Sequence, residues 1–278
     1  MRIAICGATG FLGELLTQKE VEKGNDVLAV GRNEGKLIQL KEKFPSIQIL
    51  AGDISDSWTV ASIFYFKPEG VYLLSAFKHV GMAEEEVFQC VKTNITGTLK
   101  VLKASLKYRP KFLVFTSTDK AAQVAGVYGA TKLLGERLMK EAEKLNPETK
   151  YRVVRYGNVL YSTGSVLCKW KDRIEKGLPV VVTDGNATRF FWTREGALDL
   201  IDECLEKATD ATPYVPYMKS IKIWDLLSAM SLKYGGKNAV DVKEIGLQPG
   251  ENMHETMDGK TFSNEVEQYT HEEIMKLI

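Results

Sequence analysis

No one sign of charge prevails in this sequence: 37 lysines and arginines stand against 36 aspartates and glutamates, for a net charge of +1. That balance leaves no electrostatic footprint for sequence-independent binding of nucleic acid. Long apolar runs are missing too. The longest, such as Gly70-Val71-Tyr72-Leu73-Leu74-Ser75-Ala76, are strand-sized and far short of a bilayer span, so no membrane segment is expected. Residues 1–6 pass straight into a glycine-rich turn, which leaves no room for a secretory leader. Cysteine is scarce and scattered. Cys6, Cys90, Cys168 and Cys204 form no Cys-x-x-Cys, so reduced thiols in a cytoplasmic protein are expected, with no metal site. Repeats, low-complexity segments and linkers are absent as well. What remains, 44% hydrophobic and 26% charged over 278 residues, is an ordinary globular composition with ample core.

Two periodicities alternate along the first 160 residues. Mostly continuous apolar runs at 2–6, 26–31, 47–52, 70–76, 112–117 and 151–157 read as strands covered on both faces. Between them, 11–23, 34–44, 56–66, 84–107 and 127–145 carry helical patterns, with Asp56 placed to cap the third and Asn146-Pro147 to stop the last. Such alternation predicts an α/β fold, a Rossmann-type doubly wound parallel sheet. Beyond 160 the elements shorten: helix at 166–176, 195–208 and 223–234, extended chain at 178–183, 214–218 and 240–245. With no linker to free a separate domain, residues 161–278 are expected to form mainly a smaller, interleaved substrate lobe. A return to the 1–160 nucleotide-binding domain is expected at about 186–212.

Gly7-Ala8-Thr9-Gly10-Phe11-Leu12-Gly13 joins the first strand to the first helix. Backbone lacking side chains can approach a pyrophosphate there, and the helix N-terminus offers free N–H groups. The spacing is Gly-x-x-Gly-x-x-Gly, and its place between strand and helix is what makes it informative. An NAD site commonly carries an acidic residue at the end of the second strand. This chain has Gly31-Arg32-Asn33, whose guanidinium can fork onto a 2′-phosphate, so NADP is the expected cofactor. Asp53-Ile54, after the third strand, is placed to meet the adenine.

Tyr128 and Lys132 lie four apart on a helix and so share a face. An ammonium beside a phenol favours the phenolate, and a tyrosine so tuned can take a hydroxyl proton while hydride leaves the same carbon. With the glycine motif and the strand order, this pair resembles the extended short-chain dehydrogenase/reductase family. Thr116-Ser117-Thr118-Asp119-Lys120-Ala121, ending the fifth strand, narrows the resemblance. There the dTDP-glucose 4,6-dehydratases have Asp-Glu, and the inverting UDP-N-acetylglucosamine 4,6-dehydratases have Asp-Lys, as here. Phe77-Lys78-His79-Val80, Lys92-Thr93-Asn94-Ile95-Thr96-Gly97, Val154-Arg155-Tyr156-Gly157-Asn158-Val159, Thr188-Arg189-Phe190-Phe191 and Pro249-Gly250-Glu251-Asn252-Met253-His254-Glu255 are similar to that group's motifs.

The resemblance implies an NADP-dependent lyase acting on UDP-N-acetylglucosamine or a related UDP-sugar, serving a surface glycan or a nonulosonic acid such as pseudaminic acid. Tyr128 with Lys132 would oxidise C4. Lys120, if desolvation leaves it neutral, would take the C5 proton, and Asp119 would protonate the departing C6 hydroxyl, with Thr118 on the sugar. Cofactor contacts are expected from Gly7, Thr9, Gly10, Phe11, Leu12, Gly13, Arg32, Asp53, Ile54, Ala76, Lys78, Asn94 and Tyr156. On the substrate side the resemblance points to Lys78, His79, Thr118, Asn158, Ser165, Val166, Lys169, Arg173, Thr183, Arg189 and Glu251. Arg189 is the first choice for the diphosphate, and His254 is expected to organise the second lobe. A homo-oligomer is implied, a hexamer from the resemblance or otherwise a dimer.

The sequence also departs from the group's pattern. Ala122-Gln123-Val124-Ala125-Gly126 replaces an Asn-Pro segment, Gln248 an arginine, and Gly81-Met82-Ala83 a proline-containing loop. Other readings follow from the same residues. A 4-oxidase/5,6-dehydratase releasing the 5,6-ene needs the same groups, and a UDP-sugar 4-epimerase needs only Tyr128 and Lys132. A non-catalytic NADP-binding sensor would commonly have lost one of those two.

Overall fold

The computed structural model describes residues 1–236 and 240–278. Its first part runs β1 (Arg2–Cys6), α1 (Phe11–Glu22), β2 (Asp26–Gly31), α2 (Glu34–Lys43), β3 (Gln48–Ala51), α3 (Ser57–Tyr65), β4 (Gly70–Leu73), α4 (Val80–Glu85), α5 (Val87–Val91), α6 (Thr98–Tyr108), β5 (Phe112–Thr118), α7 (Val127–Leu145) and β6 (Lys150–Tyr156). The six strands pair in parallel in the order β3-β2-β1-β4-β5-β6. The order reverses between β1 and β4, and the crevice at the strands' carboxyl ends beside that reversal is where doubly wound sheets take ligands. Both sheet faces are buried, one against Ile3, Ile5, Leu16 and Val114, the other against Ala4, Leu73, Leu113 and Met139. This is why the inner strands read as mostly continuous apolar runs, while the edge strand β3 is largely exposed.

Asp56 accepts from Thr59 N at 2.8 Å and so caps α3, and Asn146 ends α7, both as the sequence predicts. The expected single helix over 84–107 is instead broken. Helix starts earlier, at Val80, so the Gly81-Met82-Ala83 run is helical and not a loop; the chain then bends at Glu86 and widens into a π-turn over Lys92–Gly97 before α6. The cause is tertiary. Asn94 reaches across to both backbone groups of Phe77, and such π-turns re-aim a side chain without ending the helix.

The second part comprises β7 (Asn158–Val159), α8 (Val166–Glu175), β8 (Val180–Val182), β9 (Thr188–Trp192), α9 (Arg194–Lys207), β10 (Ser220–Lys222), α10 (Ile223–Met230), β11 (Val242–Glu244) and α11 (His271–Leu277). The strands form a three-stranded sheet, β10-β9-β7, and the pair β11-β8. Trp170, Leu226, Met230 and Ile274 anchor a separate core. Helix α9 packs back on the large sheet: Tyr156 Oη donates to the Ala197 carbonyl at 2.7 Å, and Lys19 on α1 pairs with Asp199 and Asp202. The expected extended run over 214–218 shrinks to one bridge, Tyr214 beside Val154. Among the described residues no helix is long and apolar enough to cross a membrane.

Candidate active site

The turn after β1 is shaped for close backbone approach. Gly7 has φ +95°, and a Cβ there would lie 2.8 Å from Ser75 N. A Cβ on Gly13 would lie 2.1 Å from the Gly7 carbonyl oxygen, so α1 starts hard against the turn. Gly10 caps α1 without a side-chain hydrogen bond, which leaves the first-turn N–H groups for an anion. Phe11 opens the helix with the Arg194 guanidinium 4.9 Å from its ring centroid, and Arg194 Nε is buried without a partner among the described residues. A glycine cradle beside a cation with an unspent donor fits a dinucleotide pyrophosphate. Thr9 packs against Gly31, at the end of the strand that leads to Arg32.

Arg32 is 63% exposed on the side chain, 3.7 Å from Asp53, and Asp53 also accepts from Ser55 N at 2.8 Å. Asp53 is thus held in a turn, with buried Ile54 packed against Gly97, and Ala76 lies in the loop after β4. Two residues expected on the cofactor do other work. Asn94 gives its amide to Phe77 O (3.0 Å) and Thr131 Oγ1 (2.9 Å) and accepts from Phe77 N (2.7 Å), so it clamps the loop after β4. Tyr156 is buried in the sheet core, its hydroxyl spent on α9.

The acid–base residues converge where β5 ends. Thr118 Oγ1, Lys120 N and Lys120 Nζ all donate to Asp119 Oδ1, at 2.8, 2.9 and 3.1 Å, and Asp119 is fully buried. Helix α7 comes close because Gly129 has no side chain: a Cβ there would stand 2.3 Å from the Lys120 carbonyl oxygen. Glu84 Oε1 accepts from Val127 N at 2.7 Å and holds the start of that helix. Tyr128, one residue on, opens that helix beside Lys120 and Thr118.

The electrostatics differ from expectation at three residues. Burial pushes the Tyr128 phenol up to about 12, with Asp119 adding to the shift while Lys120 and the Thr118 hydroxyl oppose it. Lys132 Nζ lies 3.9 Å from the Phe115 ring centroid, and burial pulls that lysine down to about 7. Lys120, which would have to be neutral to act as the base, is the reverse case. Desolvation would lower it, but Asp119 and Glu255 together outweigh that and raise it above the usual lysine range.

Glu255 was missed by sequence reasoning. It is fully buried, and its Oε1 lies 3.5 Å from Lys120 Nζ. Only its place in the motif Pro249–Glu255 marked it, and nothing local links it to residue 120. Arg189, expected at the diphosphate, turns inward instead: Nη1 donates to the carbonyls of Thr188 and Met253, both at 2.9 Å, and Nε faces Glu255 at 3.9 Å. His254 Nδ1 meets Thr188 Oγ1 at 2.8 Å and helps hold that loop on β9.

The remaining substrate-side residues fall into two groups. Lys78, whose Nζ donates to the Thr163 carbonyl at 3.0 Å, and Lys169 stand near His79, whose ring packs on Gly164. Burial first, then Lys78 and Lys169, depress the His79 imidazole, and burial likewise lowers Lys78. Ser165 and Val166 start α8 beside this group, and Asn158 pairs with Phe191 in β7. Arg173 sits apart. It lies at the far end of α8, its Nε bonded to the Pro179 carbonyl. Thr183 is half-buried after β8, and Glu251 accepts from Gln248 N at 3.1 Å, closing its own loop.

Comparison with known proteins agrees with this architecture. An inverting UDP-N-acetylglucosamine 4,6-dehydratase of Campylobacter jejuni is 32% identical over 277 residues, 96% of this chain and 81% of that protein. An uncharacterized membrane protein of Methanocaldococcus jannaschii is 32% identical over 92% of this chain and 79% of its own length. The X-ray structure of Pen from Bacillus thuringiensis superposes with a TM-score of 0.86 at 34% identity, covering 91% of this chain and 80% of that one. The family model described as polysaccharide biosynthesis protein matches residues 3–278. Because that match spans nearly the whole chain, this protein belongs to the polysaccharide biosynthesis protein family.

Proposed function

We propose that the chain is an NADP-dependent, C5-inverting 4,6-dehydratase of UDP-N-acetylglucosamine. The observation that carries the reading is the buried Asp119–Lys120 pair, 3.1 Å apart, adjoining Tyr128 at the carboxyl end of β5. An epimerase needs the tyrosine but has no use for the pair, and the Campylobacter jejuni relative carries the dehydratase name over nearly the full length of this chain.

Tyr128 takes the O4 proton, and Thr118 bonds the sugar in that region. The nicotinamide, when bound, supplies hydride acceptance from C4 and hydride return to C6. Gly7, Gly10 and Gly13 would bring backbone N–H groups to the pyrophosphate and Arg32 would take the 2′-phosphate, while Lys132 shares a helix face with Tyr128. Lys120 is cationic before reaction. Transfer of its proton across the 3.1 Å contact to Asp119 creates, in one step, the amine that takes the C5 proton and the acid that protonates the C6 hydroxyl. Water leaves, and Lys120 ends as the ammonium beside the Asp119 carboxylate. With hydride returned to C6, a solvent-derived proton adds to C5 on the face opposite Lys120 and inverts it, and Tyr128 releases the O4 proton to solvent. Lys78 and Lys169 form the cationic side suited to the diphosphate, with the His79 ring beside them. Phe88 and Leu134, exposed on the neighbouring helices α5 and α7, give the implied homo-oligomer an apolar face.

The test is mass spectrometry of UDP-N-acetylglucosamine incubated with the purified protein without added cofactor. Loss of one water is expected, and NMR in deuterated water should show a C6 methyl with C5 inverted. Accumulation of the 5,6-ene would favour the oxidase/dehydratase reading. Unchanged mass with formation of UDP-N-acetylgalactosamine would replace the proposal with an epimerase.

A further inference from the structure

Two glutamates are buried near the chemical centre, and their surroundings differ. Glu136 is saturated: Arg155 Nε and Nη2 donate to its two oxygens at 2.7 Å each, and Ser117 Oγ donates at 2.6 Å. Glu255 is not. Its Oε2 accepts only a long bond from Asn252 Nδ2, at 3.3 Å. Its Oε1 makes no hydrogen bond among the described residues and faces Lys120 Nζ at 3.5 Å and Arg189 Nε at 3.9 Å. Asp119 Oδ2 is likewise buried and without a hydrogen-bond partner there. A carboxylate held in low dielectric with so little direct hydrogen bonding costs stability, so its placement calls for a reason other than folding.

That placement is firmly built. Glu255 N donates to Ser263 Oγ at 2.9 Å, and Ser263 Oγ also meets Thr188 Oγ1 at 2.6 Å. Thr188 bridges His254, and Asn252 Nδ2 reaches the Gln123 carbonyl at 3.2 Å, next to the acid–base turn. The second lobe thereby delivers one carboxylate to Lys120 from far along the chain. Around that ammonium stand Asp119 from the turn after β5, Glu255 from the lobe, Arg189 from β9 and Tyr128 from α7.

We propose that Glu255 is a positioning residue of the elimination step, a second counter-carboxylate that holds Lys120 in place and retains the C5 proton on it once Asp119 has given its own proton to the leaving water. This rests on the dehydratase reading for the step and on geometry alone for the contact. The elimination step then balances: one proton moves from Lys120 to Asp119, one from C5 to Lys120 and one from Asp119 to the departing hydroxyl. Glu255 stays ionised throughout.

The experiment compares wild type, Glu255→Gln and Glu255→Asp in two measurements. In the first, acetic anhydride labelling of Lys120 is followed by peptide mass spectrometry as pH is raised, with exposed lysines as internal standards. Lys120 in Glu255→Gln should label at least ~10-fold faster at pH 8, as loss of one counter-charge frees the amine by a unit or more, and Glu255→Asp should fall between. In the second, kcat for water loss should drop ~10-fold or more in Glu255→Gln with KM within about threefold. The alkaline limb of its pH profile should move to lower pH, and Glu255→Asp should recover part of the rate. Equal labelling in wild type and Glu255→Gln overturns the proposal, and so does an unshifted alkaline limb. Should Glu255→Gln fail to fold, the labelling of Glu255→Asp against wild type decides, and identical curves overturn it. If wild type dehydrates no UDP-sugar, the dehydratase reading falls while the labelling still decides the contact.

Discussion

Arg155 closes both sides of its guanidinium onto Glu136, with Nε–Oε1 and Nη2–Oε2 each 2.7 Å, and gives its remaining arm, Nη1, to the Met257 carbonyl at 2.7 Å. With Ser117 on the same carboxylate, one buried pair ties β5, β6, α7 and the second lobe together below the acid–base residues. Breaking it by Glu136→Gln or Arg155→Ala should cost about 3–5 kcal/mol, since either change strands a buried charge or its partners. The double change Glu136→Leu/Arg155→Met should cost less than the two singles summed. Urea denaturation measures all three, and single-variant losses below about 1 kcal/mol would show that the pair does not lock the fold.

Tyr128 should not ionise below pH 10 in the free protein, because burial holds its phenol near about 12. A tyrosinate difference spectrum between wild type and Tyr128→Phe measures this, and NADP should bring the transition down as the cationic ring arrives. Tyr128→Phe should lower kcat by ~10²–10⁴-fold with cofactor affinity unchanged. A residual rate near wild type would remove Tyr128 from the chemistry.

Lys132 sits in the fold with its ammonium disfavoured, near about 7 against a usual value of 10.5. Below 10.5 the unfolded chain holds that proton and the folded chain does not, so stability falls as pH drops from 10.5 toward 7 and levels off beneath. Lys132→Met should therefore raise Tm at pH 7, with the gain shrinking as pH approaches 10, while activity is lost. Thermal melts across that range are the measurement. A pH-independent difference would mean that Lys132 is charged in the folded state.

Arg32 is exposed and only loosely paired with Asp53, so its guanidinium is available to a 2′-phosphate. Arg32→Ala should weaken NADP by roughly 10- to 100-fold and leave NAD nearly unchanged, as expected for one charge-assisted contact. Isothermal titration with both dinucleotides separates the cases. Equal loss for both would move the 2′-phosphate contact elsewhere.

Asn94 satisfies both backbone groups of Phe77 and thereby sets the loop that carries Lys78 and His79. Asn94→Ala should cost about 1–3 kcal/mol through the unpaired Phe77 groups. It should also raise KM for the sugar nucleotide more than it lowers kcat. A stability loss without any change in KM would confine Asn94 to folding.

The large sheet was legible because its signals are local. Apolar runs set β1, β2 and β5 at or within a residue of their ends, and α7 spans the expected 127–145 and stops at Asn146. The break within 80–108 was not legible, since the pull on Asn94 comes from Phe77 and Thr131, which no window around Asn94 contains. Arg189 misled for a related reason. Its place in Thr188-Arg189-Phe190-Phe191, similar to the resembled group's motif, made it the first choice for the diphosphate, and only the packing of β9 against the loop 253–255 shows that its donors are used inside.

From the sequence by itself came the α/β alternation, the glycine turn, the Tyr128–Lys132 spacing and the adjacent Asp119-Lys120, because backbone period and turn chemistry act over a few residues. The tertiary structure alone decided the charge states at the centre. It placed Lys132 over Phe115 in a dry pocket and Lys120 between two carboxylates, so the two lysines shift in opposite directions. Desolvation and Coulomb attraction depend on what surrounds a group in space, and the second carboxylate, Glu255, reaches Lys120 only when the far end of the chain folds back onto the sheet.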